Sequence, residues 1–278
     1  MKNKLSIDFL EKKARELRAT CVQLAHDGRE GHLNGALSSV DLLIALYYSW
    51  MNIDCVDVKN DKRDRFIFSK GHACTSLYAA LADRNFFPKK WLLEYAKNNS
   101  PLPSHPCIHA LPALEASSGS LGHGLGMAAG MAYGLKLDGK AARVIALLSD
   151  GECNEGSIWE AAMFAAAKKL DNVLAVVDYN GVQSVGYTDE LTGGTSFEEK
   201  FRAFGWSAVT IDGHNIPEII DTLEKFPFEA GKPSAIIAKT RAGAGISFME
   251  NQVLWHYRVP SKEDVDSALK ELESKPIY

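Results

Sequence analysis

The chain has 278 residues, of which 46% are hydrophobic and 24% charged, and its formal net charge is −4. This composition is typical of a folded globular protein and excludes an intrinsically disordered chain, and there is no basic surplus to favour nucleic acid or an anionic membrane as a partner. The apolar runs fall short of the about 18–20 residues of a membrane helix, and the charged N-terminus lacks the apolar stretch of a secretory signal, so we expect a cytoplasmic protein.

Helical and strand patterns alternate along the chain. Apolar residues at three- and four-residue spacing predict an amphipathic helix over the first 26 residues, and Ser38 and Ser39 are expected to cap a helix that begins at Val40. Short apolar runs predict strands at 65–69, 144–149, 173–179, 208–211 and 234–240. Intervening patterns predict a helix ending near Arg84, a small-residue helix after the glycine loop at 117–123, and helices at 157–170, 196–204, 216–225 and 262–274.

This alternation predicts an α/β fold with a mostly parallel β-sheet flanked by helices on both faces, because uninterrupted apolar strands are typical of sheets that are covered on both sides. The three prolines within residues 98–109 predict a loop. The chain has five cysteines and no CxxC pair, so we expect reduced side chains and neither a disulfide framework nor a zinc site.

Two predicted strand ends carry candidate metal ligands. Asp150 and Asn180 follow consecutive strands, about one strand-to-strand crossover apart. A carboxylate, an amide oxygen and a backbone carbonyl suit a hard cation such as Mg²⁺, and Gly151 would let the backbone approach a diphosphate. Either motif alone is typical of a simple turn. The pair, in this strand context, favours binding of a metal and a diphosphate.

The segment SDGECNEGSIWEAAMFAAAKKLDNVLAVVDYNGVQSVG resembles the thiamine diphosphate signature of transketolases. Further segments have transketolase counterparts in the same order: EGHLNGALSSVDLLIALY, FSKGHACTSLYAALA, SHPCIHALPALEASSGSLGHGLGMAAGMA, DGHN and ISFMENQVLWH. The resemblance covers residues 10–260. It implies a single diphosphate-binding domain over residues 1–278, with the pyrimidine-binding and C-terminal domains of a transketolase on a separate chain.

The resemblance also implies roles for individual residues. The side chains of Asp150 and Asn180 and the carbonyl of Val182 would ligate Mg²⁺, with Ca²⁺ as a possible substitute. The cofactor would contact residues in two loops and two histidines: Gly119, Leu121, Gly151, Glu152, His72 and His256. The expected catalytic residues are the four histidines near the cofactor and donor ketose, together with a glutamate at the dimer interface: His32, His72, His105, His256 and Glu155.

The implied activity is transfer of a ketol (glycolaldehyde) unit from a ketose to an aldose, dependent on thiamine diphosphate and Mg²⁺. The chain would act only with a C-terminal transketolase subunit, in an α2β2 assembly, because the glutamate that activates the cofactor lies in the pyrimidine domain. Two alternatives remain open at this point: the alpha subunit of a 2-oxo acid dehydrogenase or decarboxylase, and a non-catalytic scaffold that binds thiamine diphosphate.

Several positions depart from the family pattern. Ala242 and Ala244 occupy a segment in which many relatives carry lysines, and Tyr257 stands where a glycine is usual. In the family these positions line the cofactor and donor channel, so the differences favour an unusual sugar substrate. His214, in the segment DGHN, is expected to have either a structural or a catalytic role.

Overall fold

The computed structural model describes residues 5–274. Five parallel strands form the central sheet in the order β1-β2-β3-β7-β6, and β4 and β5 form a separate antiparallel hairpin. The strands are β1 Arg65–Phe68, β2 Val144–Ser149, β3 Val173–Tyr179, β4 Val182–Gln183, β5 Gly186–Tyr187, β6 Ser207–Asp212 and β7 Ser234–Lys239.

Ten α-helices connect and cover these strands within the described range. They are α1 Ile7–Gly28, α2 Leu33–Ser38, α3 Val40–Ile44, α4 Cys74–Asp83, α5 Gly124–Leu137, α6 Gly156–Ala167, α7 Thr188–Thr192, α8 Phe197–Ala203, α9 Ile216–Leu223 and α10 Lys262–Ser274. A π-helical segment, Ala45–Trp50, continues α3, and short 3₁₀ turns occupy Gly71–Ala73, Lys89–Glu94, Gly151–Asn154 and Val253–His256.

The sheet separates two hydrophobic cores, and alternate residues of each strand enter different cores. On β2, Ile145 and Leu147 pack with the core of α1–α4, α9 and α10, whereas Ala146 and Leu148 pack with the core of α5, α6 and α8. The predicted fold class, a parallel sheet with helices on both faces, is therefore confirmed. No helix within residues 5–274 combines the length and the apolarity that a membrane span requires.

The predicted N-terminal helix is confirmed for its described part. It begins after Ser6, whose hydroxyl accepts a hydrogen bond from the Phe9 amide at 3.3 Å, and it ends at Gly28. Its apolar stripe, from Leu10 to Leu24, is buried as the periodicity predicts. Residues 1–4 of the predicted helix lie outside the described residues.

The predicted capping role of Ser38 and Ser39 is wrong. Neither side chain caps α3, and Ser39 has helical backbone angles. The chain is already helical before Val40, because α2 ends at Ser38, so no free helix terminus needs a hydroxyl there. Both hydroxyls are buried and bond to other groups. Residues 98–109 contain no helix or strand, as their prolines predict.

Candidate active site

A cavity of about 550 Å³ opens where the carboxyl ends of β1, β2 and β3 meet. Parallel strands place these ends at one edge of the sheet, where α/β folds commonly bind ligands. The predicted catalytic, cofactor-binding and metal-ligating residues line this cavity, with the exception of Glu152. They are His32, His72, His105, Gly119, Leu121, Asp150, Gly151, Glu155, Asn180, Val182 and His256.

Asp150, Asn180 and Val182 form one corner of the cavity, because β2 and β3 are adjacent and Ser149 is paired with Asp178. The Asp150 carboxylate accepts hydrogen bonds from the Gly181 amide at 3.0 Å and the Thr188 hydroxyl at 2.6 Å. The Asn180 Oδ1 atom accepts from the Val182 amide at 2.9 Å.

This corner fits a hard divalent cation, because its polar groups are carboxylate, amide and carbonyl oxygens. Burial raises the pKa of Asp150 to about 6; the hydrogen bond from Thr188 opposes this shift and the nearby Asp178 carboxylate adds to it. A positive charge here would stabilise the ionised carboxylate.

Three histidines from distant parts of the chain meet in another part of the cavity wall. The ring of His32, at the start of α2, lies 5.2 Å from that of His72 and 5.1 Å from that of His256. The Tyr257 ring lies 5.3 Å from His32 and 5.0 Å from His256. His32 adopts a left-handed backbone conformation (φ 60°), and its amide donates to the His256 carbonyl at 2.7 Å.

Burial of the three histidine side chains lowers their pKa values and keeps the imidazoles neutral near pH 7. Burial lowers the pKa of His256 to about 4, with further lowering by His32 and Lys70. It lowers the pKa of His72 well below the ordinary value, and that of His32 less strongly. A neutral imidazole can donate a proton through one nitrogen and accept at the other. The His32 Nδ1 atom is buried and makes no hydrogen bond to any residue between 5 and 274.

The loop before α5 forms a third wall. Gly119 has φ 139°, and a Cβ atom there would lie 2.7 Å from the His105 ring, so this close approach requires glycine. The His105 side chain is exposed at the rim. Glu155, the predicted interface residue, is also exposed in this single chain.

Glu152 lies behind the cavity and does not line it. Its carboxylate is fully buried and accepts hydrogen bonds from the Ser69 hydroxyl, the Gly122 amide and the Ser149 amide. Burial raises its pKa. The structure therefore places Glu152 where it joins the ends of β1 and β2 to the loop before α5.

Sequence reasoning missed a buried ion pair beneath the cavity. The Lys70 ammonium bonds to the Asp178 carboxylate, and both side chains are fully buried. Lys70 also donates to the Gly35 carbonyl at 2.9 Å. One signal was available, since Lys70 lies between a predicted strand and His72, in a segment that carries the resemblance.

His214 has a structural position outside the cavity. Its Nδ1 atom donates to Asp41 at 2.7 Å, and its Nε2 atom accepts from the Arg241 amide at 2.8 Å. Asp41 also forms a fully buried ion pair with Arg18 at 2.6 Å. Burial alone would raise the pKa of Asp41, but Arg18 and His214 hold it below the ordinary range.

The expectation that Ala242 and Ala244 line the channel is wrong. Both are fully buried and absent from the cavity wall, and the Ala244 carbonyl accepts from the Arg18 guanidinium at 3.0 Å. The loop that carries them folds back against α1, which turns these positions inward. Tyr257, in contrast, does line the cavity, and it is 59% exposed.

One face of α5 and α6 is apolar and exposed. Leu137, Met163 and Phe164 are 69%, 51% and 38% exposed. Beside them, three glycines of α5 at four-residue spacing open onto empty space: Gly126, Gly130 and Gly134. Exposed apolar side chains of this kind are typical of a protein–protein interface.

Comparison with known proteins agrees with this geometry. Residues 10–277 match the family described as "Transketolase, thiamine diphosphate binding domain". The chain is 41% identical over 272 residues to one of the subunits of the apulose-4-phosphate transketolase of Actinobacillus succinogenes, covering 98% of each chain. It is 40% identical to the 6-deoxy-6-sulfo-D-fructose transketolase subunit SqwG of a Clostridium species, covering 88% of this chain and 89% of the relative.

The solved structure of Campylobacter jejuni transketolase superimposes with a TM-score of 0.87 at 28% identity. The match covers 99% of this chain but 44% of that enzyme, so the chain spans less than half of a full-length transketolase. The matched family, the relatives and the superposition all identify one group of proteins. This chain belongs to the transketolase family, in which it corresponds to the thiamine diphosphate binding domain.

Proposed function

We propose that this chain is the cofactor-binding subunit of a two-chain transketolase, which transfers a ketol unit from a ketose to an aldose. The observation that carries the proposal is the meeting of Asp150, Asn180 and Val182 with three neutral histidines in one cavity. Two relatives of similar length that are named as transketolase subunits support it.

The residues around the metal corner would hold the cofactor. Thiamine diphosphate, when bound, supplies the nucleophilic carbon and the electron sink for ketol transfer. Asp150, Asn180 and the Val182 carbonyl would hold Mg²⁺ against the diphosphate, and Ca²⁺ would suit the same oxygens. The backbone at Gly151, Gly119 and Leu121 would contact the cofactor, and Glu152 would fix the loops that do so.

The histidines would bind the ketose and move its protons. His32, His72 and His256 lie within one cluster, and His105 stands at the rim. Because the three clustered imidazoles are neutral near pH 7, each can donate to a sugar oxygen or accept from a hydroxyl group. We propose these four as the catalytic histidines of this chain.

A partner subunit would complete the site. The exposed apolar face of α5 and α6 and the exposed Glu155 carboxylate would contact it, and a symmetric α2β2 assembly would couple two active sites through Glu155. We propose that residues 1–278 form a single diphosphate-binding domain and that the partner carries the pyrimidine-binding domain.

The substrate would be an uncommon anionic sugar, like the sugars that name the two relatives. In the described part of the chain, no lysine or arginine side chain lines the cavity. We therefore propose that the partner binds the anionic end of the sugar and that Tyr257 shapes the opening for the remainder.

Calorimetry tests the cofactor site directly. Thiamine diphosphate with Mg²⁺ is titrated into the chain together with its partner subunit, and Asp150→Asn should abolish the Mg²⁺-dependent part of the binding. Asp212→Asn is the matched control, because Asp212 also ends a parallel strand of the sheet but lies outside the cavity. Equal binding by both variants would refute the metal site.

Activity assays separate the remaining alternatives. The assembled enzyme should transfer a ketol unit from a ketose and should not decarboxylate 2-oxo acids. Decarboxylation would favour the dehydrogenase subunit. Tight cofactor binding without either reaction would favour a scaffold.

A further inference from the structure

The Ser38 hydroxyl connects the buried ion pair to the metal corner. It lies 2.7 Å from the Asp178 carboxylate and accepts a hydrogen bond from the Asn180 Nδ2 atom at 3.2 Å. Ser38 is fully buried at the end of α2, 142 residues from Asn180 in sequence. The sequence pattern predicts a helix cap at this residue, and nothing in the site described above uses it.

The ion pair between Lys70 and Asp178 helps to determine the direction in which the Ser38 hydroxyl donates its hydrogen bond. Asp178 accepts from the Lys70 ammonium and from the Thr240 hydroxyl, so it is held as an acceptor. Ser38 donates its single proton to Asp178 or to the Gly35 carbonyl at 3.0 Å, and with either acceptor it offers only lone pairs to Asn180. The amide NH₂ of Asn180 is the group that can bond to a lone pair, so Oδ1 must face the other way.

We propose that Ser38 is a positioning residue for the cation, which fixes the Asn180 amide so that Oδ1, and not the NH₂ group, faces the metal. The inference rests on the proposed function, since it requires Asn180 to be a metal ligand. The cause is a fixed direction of hydrogen bonding that runs from Lys70 through Asp178 and Ser38 to Asn180. Without the hydroxyl, only the Val182 amide, which donates to Oδ1 at 2.9 Å, would oppose rotation, and a rotated amide would point two N–H donors at the cation.

The neighbouring serine provides a matched control. Ser39 is also fully buried, but its hydroxyl bonds to the Ala36 carbonyl at 2.9 Å and to the Ser76 hydroxyl at 3.0 Å. It makes no hydrogen bond to Asn180. Ser38→Ala and Ser39→Ala therefore remove the same atom from similar surroundings, and only the first removes the partner of the metal ligand.

The experiment measures Mg²⁺ affinity by titration at a fixed concentration of thiamine diphosphate, on the chain assembled with its partner subunit. Loss of such a supporting hydrogen bond typically weakens metal binding by about 10- to 100-fold, which we expect for Ser38→Ala. The Mg²⁺ affinity of Ser39→Ala should remain within about threefold of the wild-type value. Ser38→Cys leaves no cavity but accepts hydrogen bonds poorly, so it should lose Mg²⁺ affinity as Ser38→Ala does, even if the alanine variant folds badly.

A second background separates positioning from packing. A carboxylate has two equivalent oxygens and no wrong orientation. In the Asn180→Asp background, removal of the Ser38 hydroxyl should therefore lower the Mg²⁺ affinity by less than about threefold. An equal loss of Mg²⁺ affinity in both backgrounds, or equal Mg²⁺ affinity of Ser38→Ala and Ser39→Ala, would overturn the positioning role of Ser38 and leave the proposed function intact. If the wild type shows no Mg²⁺-dependent binding of thiamine diphosphate, both this inference and the proposed function fail.

Discussion

Lys70→Met tests the buried ion pair beneath the cavity. Lys70 and Asp178 are both fully buried, so the substitution leaves a carboxylate without its compensating charge. Removing one partner of such a pair typically costs about 3–5 kcal/mol of unfolding free energy. Two hydroxyl donors still reach Asp178, from Ser38 and Thr240, so we expect the lower half of this range.

Urea unfolding followed by circular dichroism measures the loss, with Lys89→Met as the control. The Lys89 ammonium bonds to Asp83 at 2.9 Å but is 64% exposed, so its removal should cost less than about 1 kcal/mol. Adding Asp178→Asn to Lys70→Met removes the unpaired charge and should restore part of the stability. Equal losses for the two lysine variants, or no recovery in the double variant, would refute the reasoning.

Three further changes have measurable outcomes. Gly119→Ala should weaken thiamine diphosphate binding at least about tenfold in calorimetry, because its Cβ would lie 2.7 Å from the His105 ring at a φ of 139°; unchanged affinity would contradict this. The pKa of His256 is about 4 in the folded chain, against an ordinary value of 6.5. As the pH falls below 6.5, the unfolded chain therefore binds a proton that the folded chain does not, and acidification should destabilise the fold. His256 alone should contribute up to about 2 kcal/mol of this loss between pH 7.5 and pH 5, and His256→Gln should reduce the acid sensitivity in urea titrations; an identical pH profile would refute it. Arg18→Met should lower the free energy of unfolding by about 3–5 kcal/mol, because it leaves the buried Asp41 carboxylate without its guanidinium partner. Arg18→Lys should recover only part of this free energy, because an ammonium group cannot form the bidentate hydrogen bond of the guanidinium; full recovery would argue against that geometry.

The central strands could be predicted from the sequence because their pattern is local. Residues 144–148 and 173–177 are uninterrupted apolar runs, and the structure gives β2 and β3 the predicted bounds, 144–149 and 173–179. The closeness of Asp150 and Asn180 follows from the same pattern, since consecutive parallel strands end at one edge of the sheet. The roles of the site residues as ligands and catalysts stay predictions until the cofactor is bound.

The remaining details depend on which distant residues meet. Ser38 looks like a helix cap in its own segment, but it bonds to Asp178, 140 residues away. Lys70 looks like a surface residue until Asp178 is placed against it. Ala242 faces the interior because its loop packs against α1, which no periodicity in the loop itself indicates.

The long sequence separations within the site have a consequence for the order of folding. Lys70 meets Asp178 across 108 residues, and the edge strand β1 pairs with β2, whose first residue, Val144, lies opposite Arg65. Contacts of such high contact order form slowly, because loop closure has to precede them. During synthesis, the described segment before residue 144 holds no sheet neighbour for β1, and it lacks Asp178, the carboxylate partner of Lys70. We therefore expect the cavity to form late in folding, and its polar floor to be completed only after β3 has been synthesised.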